Sequence, residues 1–205
     1  TSGKWIDNNW LNIGIAHFYK REYFSGIESF EYITRTYTKS PDKYTAMIWL
    51  IKANNEIGSV SSSEPYISLL KNEKSLPLNI RNEFPVAVAD YYIRRGQYTE
   101  AATKLMEAVR NNSFLNGLNR KRRARYAFIA AQLLEINHDH HRAVDYFKKV
   151  ISLRPSYEMM FYAKIKMARL IDVKKQDPSK IKKDLIKMTK EFKNSDFYDV
   201  IYFTL

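Results

Sequence analysis

An all-α fold of stacked helical hairpins is predicted by three observations. Between its breakers the chain is dominated by Lys, Glu, Leu, Ala, Arg, Met and Gln, which cost little to hold in a helix. Only six Gly and six Pro interrupt the 205 residues, and the one Asn-Gly pair, Asn116-Gly117, reads as a loop between two helical patterns rather than a hairpin turn. Small residues return at Gly26, Ser62, Ala101 and Ala143, spacings of 36, 39 and 42. With 45% hydrophobic residues the chain can bury a core, which excludes wholesale disorder.

The first repeat spans residues 5–41. It places Trp10, Ile13, Gly14 and His17 on one helix and Gly26, Phe30 and Ile33 on the next, followed by Pro41. This is the tetratricopeptide pattern, a pair of antiparallel helices called here A and B. The glycines let the two helices approach, Trp10 and Phe30 are expected to fill the volume between them, and Pro41 to stop helix B and restart the chain. The second repeat, 42–75, runs from a helix over 43–58 that ends at Gly58. Ser61, Ser62 and Ser63 offer N-caps to a helix through Leu70, with Ser62 in the small slot and Tyr66 in the aromatic one. The third, 78–112, has its clear pattern from Phe84, with Ala89, Tyr92, Gly96, Tyr98, Ala101, Leu105 and Ala108 in register. The fourth, 119–155, repeats it with Ala130, Ala131, Ala143, Phe147, Val150 and Pro155. A fifth, 156–194, has a helix over 157–173 and a second after Asp177-Pro178, which suit an N-cap and first helical position. Residues 195–205 read as a sixth repeat cut short. Such hairpins bury their apolar faces only by stacking, so a right-handed solenoid with a concave face lined by the A helices is expected.

The absence of cysteine removes disulfides, thiolate catalysis and Cys-based zinc sites. No apolar run approaches the roughly 18 residues that span a membrane, and no signal peptide is visible. The abrupt start at Thr1-Ser2-Gly3 and the apolar finish at 200–205 read as the ends of an excised piece of a longer protein. There is no Gly-rich phosphate loop, Gly-x-Ser-x-Gly or His-Glu-x-x-His, and no paired carboxylates mark a site. The expectation is a non-enzyme with no cofactor, no metal and no small-molecule substrate.

Three features remain as candidates. His138, Asp139, His140 and His141 look like metal ligands, but they fall where the A–B turn of the fourth repeat must lie, with Asn137 at the C-cap and Asp139 at the N-cap. A solvated turn is the preferred reading, because a zinc site wants three or four convergent ligands. The run 120-RKRRARY-126 puts five cations at a helix start, against the macrodipole. It reads either as a contact for an acidic peptide or phosphate, or as a solvated face paired with nearby carboxylates. Helix A positions facing the groove carry Leu11, Ile15, Phe18, Trp49, Val86, Ile93 and Phe128, which suit an extended segment unless a neighbouring repeat buries them. The candidate partner-binding set is therefore Leu11, Ile15, Phe18, Trp49, Lys52, Asp90, Arg94, Arg122, Arg125, Phe128 and Gln132. The net charge of +12 would help binding to nucleic acid, anionic lipid or an acidic protein, and reads equally as the solubility of a Lys-rich helical surface. A basic repeat module for RNA or an anionic surface is the alternative; nucleic acid is disfavoured because the aromatics are claimed by repeat slots.

One stretch is more distinctive. Residues 125-RYAFIAAQLLEI-136 and 143–172, with Pro155, Tyr157, Glu158, Met159, Phe161, Ala163 and Ile165, resemble the tetratricopeptide lipoproteins of Bacteroidota tied to gliding motility and type IX secretion (the SprE/PorW type). The end, 196-DFYDVIYFTL-205, is similar to that family's next helix. The resemblance implies a scaffold on the periplasmic side of the outer membrane, held there by a lipid anchor outside these residues.

Overall fold

The structure, a computed structural model, describes residues 5–111, 120–170 and 179–205. Among them are eleven α-helices: α1 Ile6–Tyr19, α2 Tyr23–Thr36, α3 Asp42–Glu56, α4 Glu64–Asn72, α5 Leu78–Arg94, α6 Tyr98–Asn111, α7 Arg120–Ile136, α8 His140–Ser152, α9 Tyr157–Leu170, α10 Ser179–Thr189 and α11 Tyr198–Thr204. Two 3-10 turns, Val60–Ser63 and Phe192–Phe197, precede α4 and α11. The fold is the all-α helical-hairpin repeat expected. The expected loop around 111–119 and the Asp177-Pro178 start signal lie outside the described residues. The chain divides into two lobes, Thr1–Gly117 and Leu118–Leu205.

One turn motif sets the register of the repeats. The A helices of the first four repeats each end on a residue in the left-handed region: Arg21 (φ 65°), Gly58 (79°), Gly96 (71°) and His138 (58°). Around three of them the next amide bonds back across the helix end, Glu22 to His17, Gln97 to Tyr92 and Asp139 to Leu134, each at 2.9 Å. That six-residue closure satisfies carbonyls the helix would otherwise leave orphaned. Five residues after each turn comes a fully or nearly fully buried small residue: Gly26, Ser63, Ala101 and Ala143. The small slot of the second repeat is thus Ser63, and the expected Ser62 is exposed. The serines there do not cap α4 through their side chains. The Ser63 hydroxyl points inward instead, within reach of the Ile51 carbonyl (3.3 Å) and Asn55 Oδ1 (3.2 Å).

In the first lobe α2 packs on α1 and α3, α3 on α4 and α5, and α5 on α6. Leu11, Phe30, Ile33, Ala46 and Leu50 form one buried cluster, and Ile48, Ile51, Leu70, Ile80 and Ala87 a second; Tyr66 packs against both. Phe30 fills the α1–α2 interface, but Trp10 does not join it. Its indole is 36% exposed and lies against Tyr32 at the rim, ring centroids 4.8 Å apart. α2 ends at Thr36, five residues before Pro41, so Pro41 caps the start of α3 rather than stopping α2. α5 begins at Leu78 and carries Pro85 inside it, six residues upstream of the pattern visible from Phe84.

In the second lobe α8 packs on α7 and α9, and α11 on α9 and α10. α8 buries Ala143, Val144, Phe147 and Val150, the i, i+4, i+7 face of an amphipathic helix. Phe161, Ile165, Leu185, Met188 and Ile201 close the core of α9, α10 and α11. Buried Asn194 locks the 3-10 turn there: it accepts from the Tyr157 hydroxyl and donates to the Met188 carbonyl at 2.6 Å. Among the described residues no helix is long and apolar enough to cross a membrane.

Candidate functional site

In the first lobe the candidate residues separate into packing and charge. Leu11 is only 6% exposed and belongs to the core, so it offers nothing to a groove. Ile15 packs half-buried against the same cluster. Phe18 and Trp49 meet edge to face at 5.0 Å, and Trp49 stacks on Phe30 at 6.1 Å, so both rings fasten α1 to α3. Val86 and Ile93 are half-buried on α5. The apolar positions read as groove are therefore mostly the seam between repeats.

The polar candidates gather. Lys52 Nζ sits 4.3 Å from the Trp49 ring centroid and 3.2 Å from Glu83 Oε2. One turn on, Asn55 donates to Asp90 Oδ2 at 2.8 Å. Arg94 bridges Asp90 (3.3 Å) and Glu56 (2.7 Å). This string runs across α3 and α5 and holds the two A helices in register. It contains two cations and three carboxylates, so both cations are paired and the string carries a net charge of −1. Glu56 and Glu83 were missed from sequence; the signal for them is a charge opposite in sign about one repeat away, 31 residues for Lys52–Glu83 and 38 for Glu56–Arg94.

A pocket of about 410 Å³ lies between α4, α5 and α6. Ile67, Phe84, Val88 and Tyr92 line it, with Lys71, Arg95 and Lys104 at its edge. Glu64 accepts from the Tyr91 hydroxyl (2.7 Å) and from Arg95 (2.6 Å). Chiefly the tyrosine bond, then the guanidinium, holds its carboxyl below the usual range.

The second lobe is different. Arg122 and Arg125 on α7 are exposed and make no ion pair with any described residue. Arg123 turns inward, its buried Nε without an acceptor among the described residues. Phe128 is half-buried, edge-on to Phe147 at 5.6 Å, and Gln132 is half-buried one turn beyond. Lys166 of α9 reaches Glu135 at 3.0 Å, the counterpart of the α3–α5 pairing.

The histidines form the turn between α7 and α8. Asn137 takes the C-cap, and His138 the left-handed position that glycine holds in the second and third repeats. Asp139 is the N-cap: Oδ1 accepts the Arg142 amide (3.1 Å) and Oδ2 the Arg142 Nε (2.6 Å). Its carboxyl is held below the ordinary aspartate value, first by the Arg142 side chain and then by that amide. The rings of His138 and His140 stack 6.0 Å apart, and His141 lies 3.7 Å from Asp145 on the exposed side of α8.

The architecture is matched among solved structures. A crystal structure of MamA shares 15% identity over 93% of this chain and 94% of that one, with a TM-score of 0.62. A second MamA crystal structure shares 16% over 77% and 82%, TM-score 0.56. TTC0263, a thermophilic TPR protein of Thermus thermophilus, shares 16% over 97% and 96%, TM-score 0.48. No protein-family model matches the chain, and no curated protein does. The likeness to MamA establishes the class of fold, an all-α tetratricopeptide-like helical repeat. At these identities the likeness is one of fold alone.

Proposed function

We propose that this chain is a non-enzymatic scaffold that binds other proteins through the exposed faces of its A helices. The observation that carries the reading is the division of labour along those helices. Small and aromatic residues are spent on stacking the hairpins, and Lys52, Asp90 and Arg94 on pairing α3 with α5, while Arg122, Arg125 and Gln132 stand on the remaining faces. Packed helices presenting such side chains suit recognition of an extended segment or a partner helix. The resemblance of 125–172 and 196–205 to the Bacteroidota lipoproteins supports a narrower reading. On it the scaffold faces the periplasm, is attached to the outer membrane by an anchor outside these residues, and serves type IX secretion and gliding.

A photo-crosslinking amino acid at Gln132, compared with one at Lys148 on the exposed side of α8, tests the scaffold reading in source cells. Crosslinks to a discrete protein from Gln132 and none from Lys148 are expected. Equal capture from both positions, or capture of RNA, overturns it. Recovery of the protein in the cytosolic fraction overturns the compartment and leaves the scaffold standing.

A further inference from the structure

The charge is unevenly divided. Residues 118–205 carry twenty Lys and Arg against ten Asp and Glu, a net +10; residues 1–117 carry fourteen against twelve, a net +2. In the first lobe Lys52 and Arg94 of the A helices are both paired, with Glu83 and with Glu56 and Asp90. On α7, Arg122 and Arg125 have no such partners among the described residues.

We propose that Arg122 and Arg125 form a docking site for an extended acidic segment of a partner protein, with carboxylates at alternate positions. Geometry selects the spacing. Residues three apart on a helix present side chains from neighbouring turns, with Cβ atoms about 5–6 Å apart. Alternate residues of an extended chain point to one side about 6.6–6.8 Å apart, at roughly 3.3–3.4 Å per residue. A Glu-x-Glu segment therefore meets both guanidinium groups at once, each with a planar fork suited to a carboxylate. Placing anions at this helix start also relieves the opposition between the arginines and the macrodipole. A protein segment fits better than a nucleic acid strand because the Phe128 ring is occupied. Phe128, three residues beyond Arg125, packs edge-on against Phe147, which closes that ring as a stacking platform.

The inference rests on the scaffold reading. Its test uses the 205-residue chain and two fluorescein-labelled dodecapeptides of one composition, (Glu-Ser)6 and (Glu-Glu-Ser-Ser)3. In extended form the first sets all six glutamates on one side and the second sets three on each. Fluorescence anisotropy is expected to show at least threefold tighter binding of (Glu-Ser)6. Arg122→Glu with Arg125→Glu should weaken it at least tenfold, while Lys182→Glu with Lys183→Glu, an equal charge change on the exposed face of α10, should cost less than threefold. Far-UV circular dichroism confirms that each variant folds. Equal binding of the two peptides, or equal loss from both double variants, overturns the proposal. So does tighter Arg122- and Arg125-dependent binding of dT12 or phosphatidylserine vesicles than of (Glu-Ser)6. If the Gln132 crosslink survives the arginine reversal unchanged, the acidic docking site falls and the scaffold stands.

Discussion

Replacing Gly14 by alanine adds one methyl group at the tightest point between α1 and α2. A Cβ at Gly14 would lie 2.5, 2.8 and 2.9 Å from Cε1, Cδ1 and Cζ of Phe30, well inside van der Waals contact. Phe30 is fully buried and cannot swing into solvent. Overpacking of this kind costs about 1–3 kcal/mol. Alanine returns about 0.5–1 kcal/mol in helix propensity. The net expectation is a loss of between about 0 and 2.5 kcal/mol, centred near 1 kcal/mol. With a urea slope of about 1–3 kcal/mol/M, that lowers the midpoint by roughly 0.3–1 M for typical values. Adding Phe30→Leu should recover part of the loss, because the two changes share one contact and do not add. A Gly14→Ala variant with a raised midpoint would refute the reasoning, since propensity alone would then decide the site.

Two further substitutions test the fourth-repeat turn. His138→Gly removes the cost of holding a side chain at φ 58° and should stabilise by about 1 kcal/mol, read as a higher thermal midpoint. Asp139→Ala should cost about 1 kcal/mol at neutral pH through loss of the N-cap. Because the Asp139 carboxyl is depressed in the folded state, its contribution is complete above the ordinary aspartate value and lost as pH falls through the lower folded value. The gap between wild type and variant in urea midpoint should therefore be full at neutral pH and close in strong acid; a gap unchanged by acid would exclude the ionised cap.

Much of the helix order was readable because Gly26, Phe30, Ala101, Ala143 and Phe147 must be small or aromatic wherever two hairpin helices cross. The histidine cluster was readable for the same reason: Ala143 fixes where its turn must fall. The second repeat slipped by one residue because the 3-10 turn Val60–Ser63 replaces the regular start of its B helix, and three serines in a row leave periodicity nothing to distinguish. Leu11 and Trp49 were misplaced because an A helix is flanked on several sides, so its apolar spacing does not tell seam from groove. The pairing of Lys52 with Glu83 and of Arg94 with Glu56 arises only when repeats are superposed in space. Arg122 and Arg125 were visible as a basic run, but their lack of carboxylate partners among the described residues needed coordinates.

The shared left-handed turns bear on how the chain can diverge. At these turns the left-handed conformation falls on a single exposed position, occupied by a strained side chain at Arg21 and His138 and by an unstrained glycine at Gly58 and Gly96. Placing a side chain at Gly58 or Gly96, or glycine at Arg21 or His138, alters the stability of one hairpin while its packed surfaces stay as they were. Where each repeat draws support mainly from its neighbours, such exchanges decide which hairpin opens first under heat, force or a translocating load. These four positions act as independent set-screws on the order of unfolding.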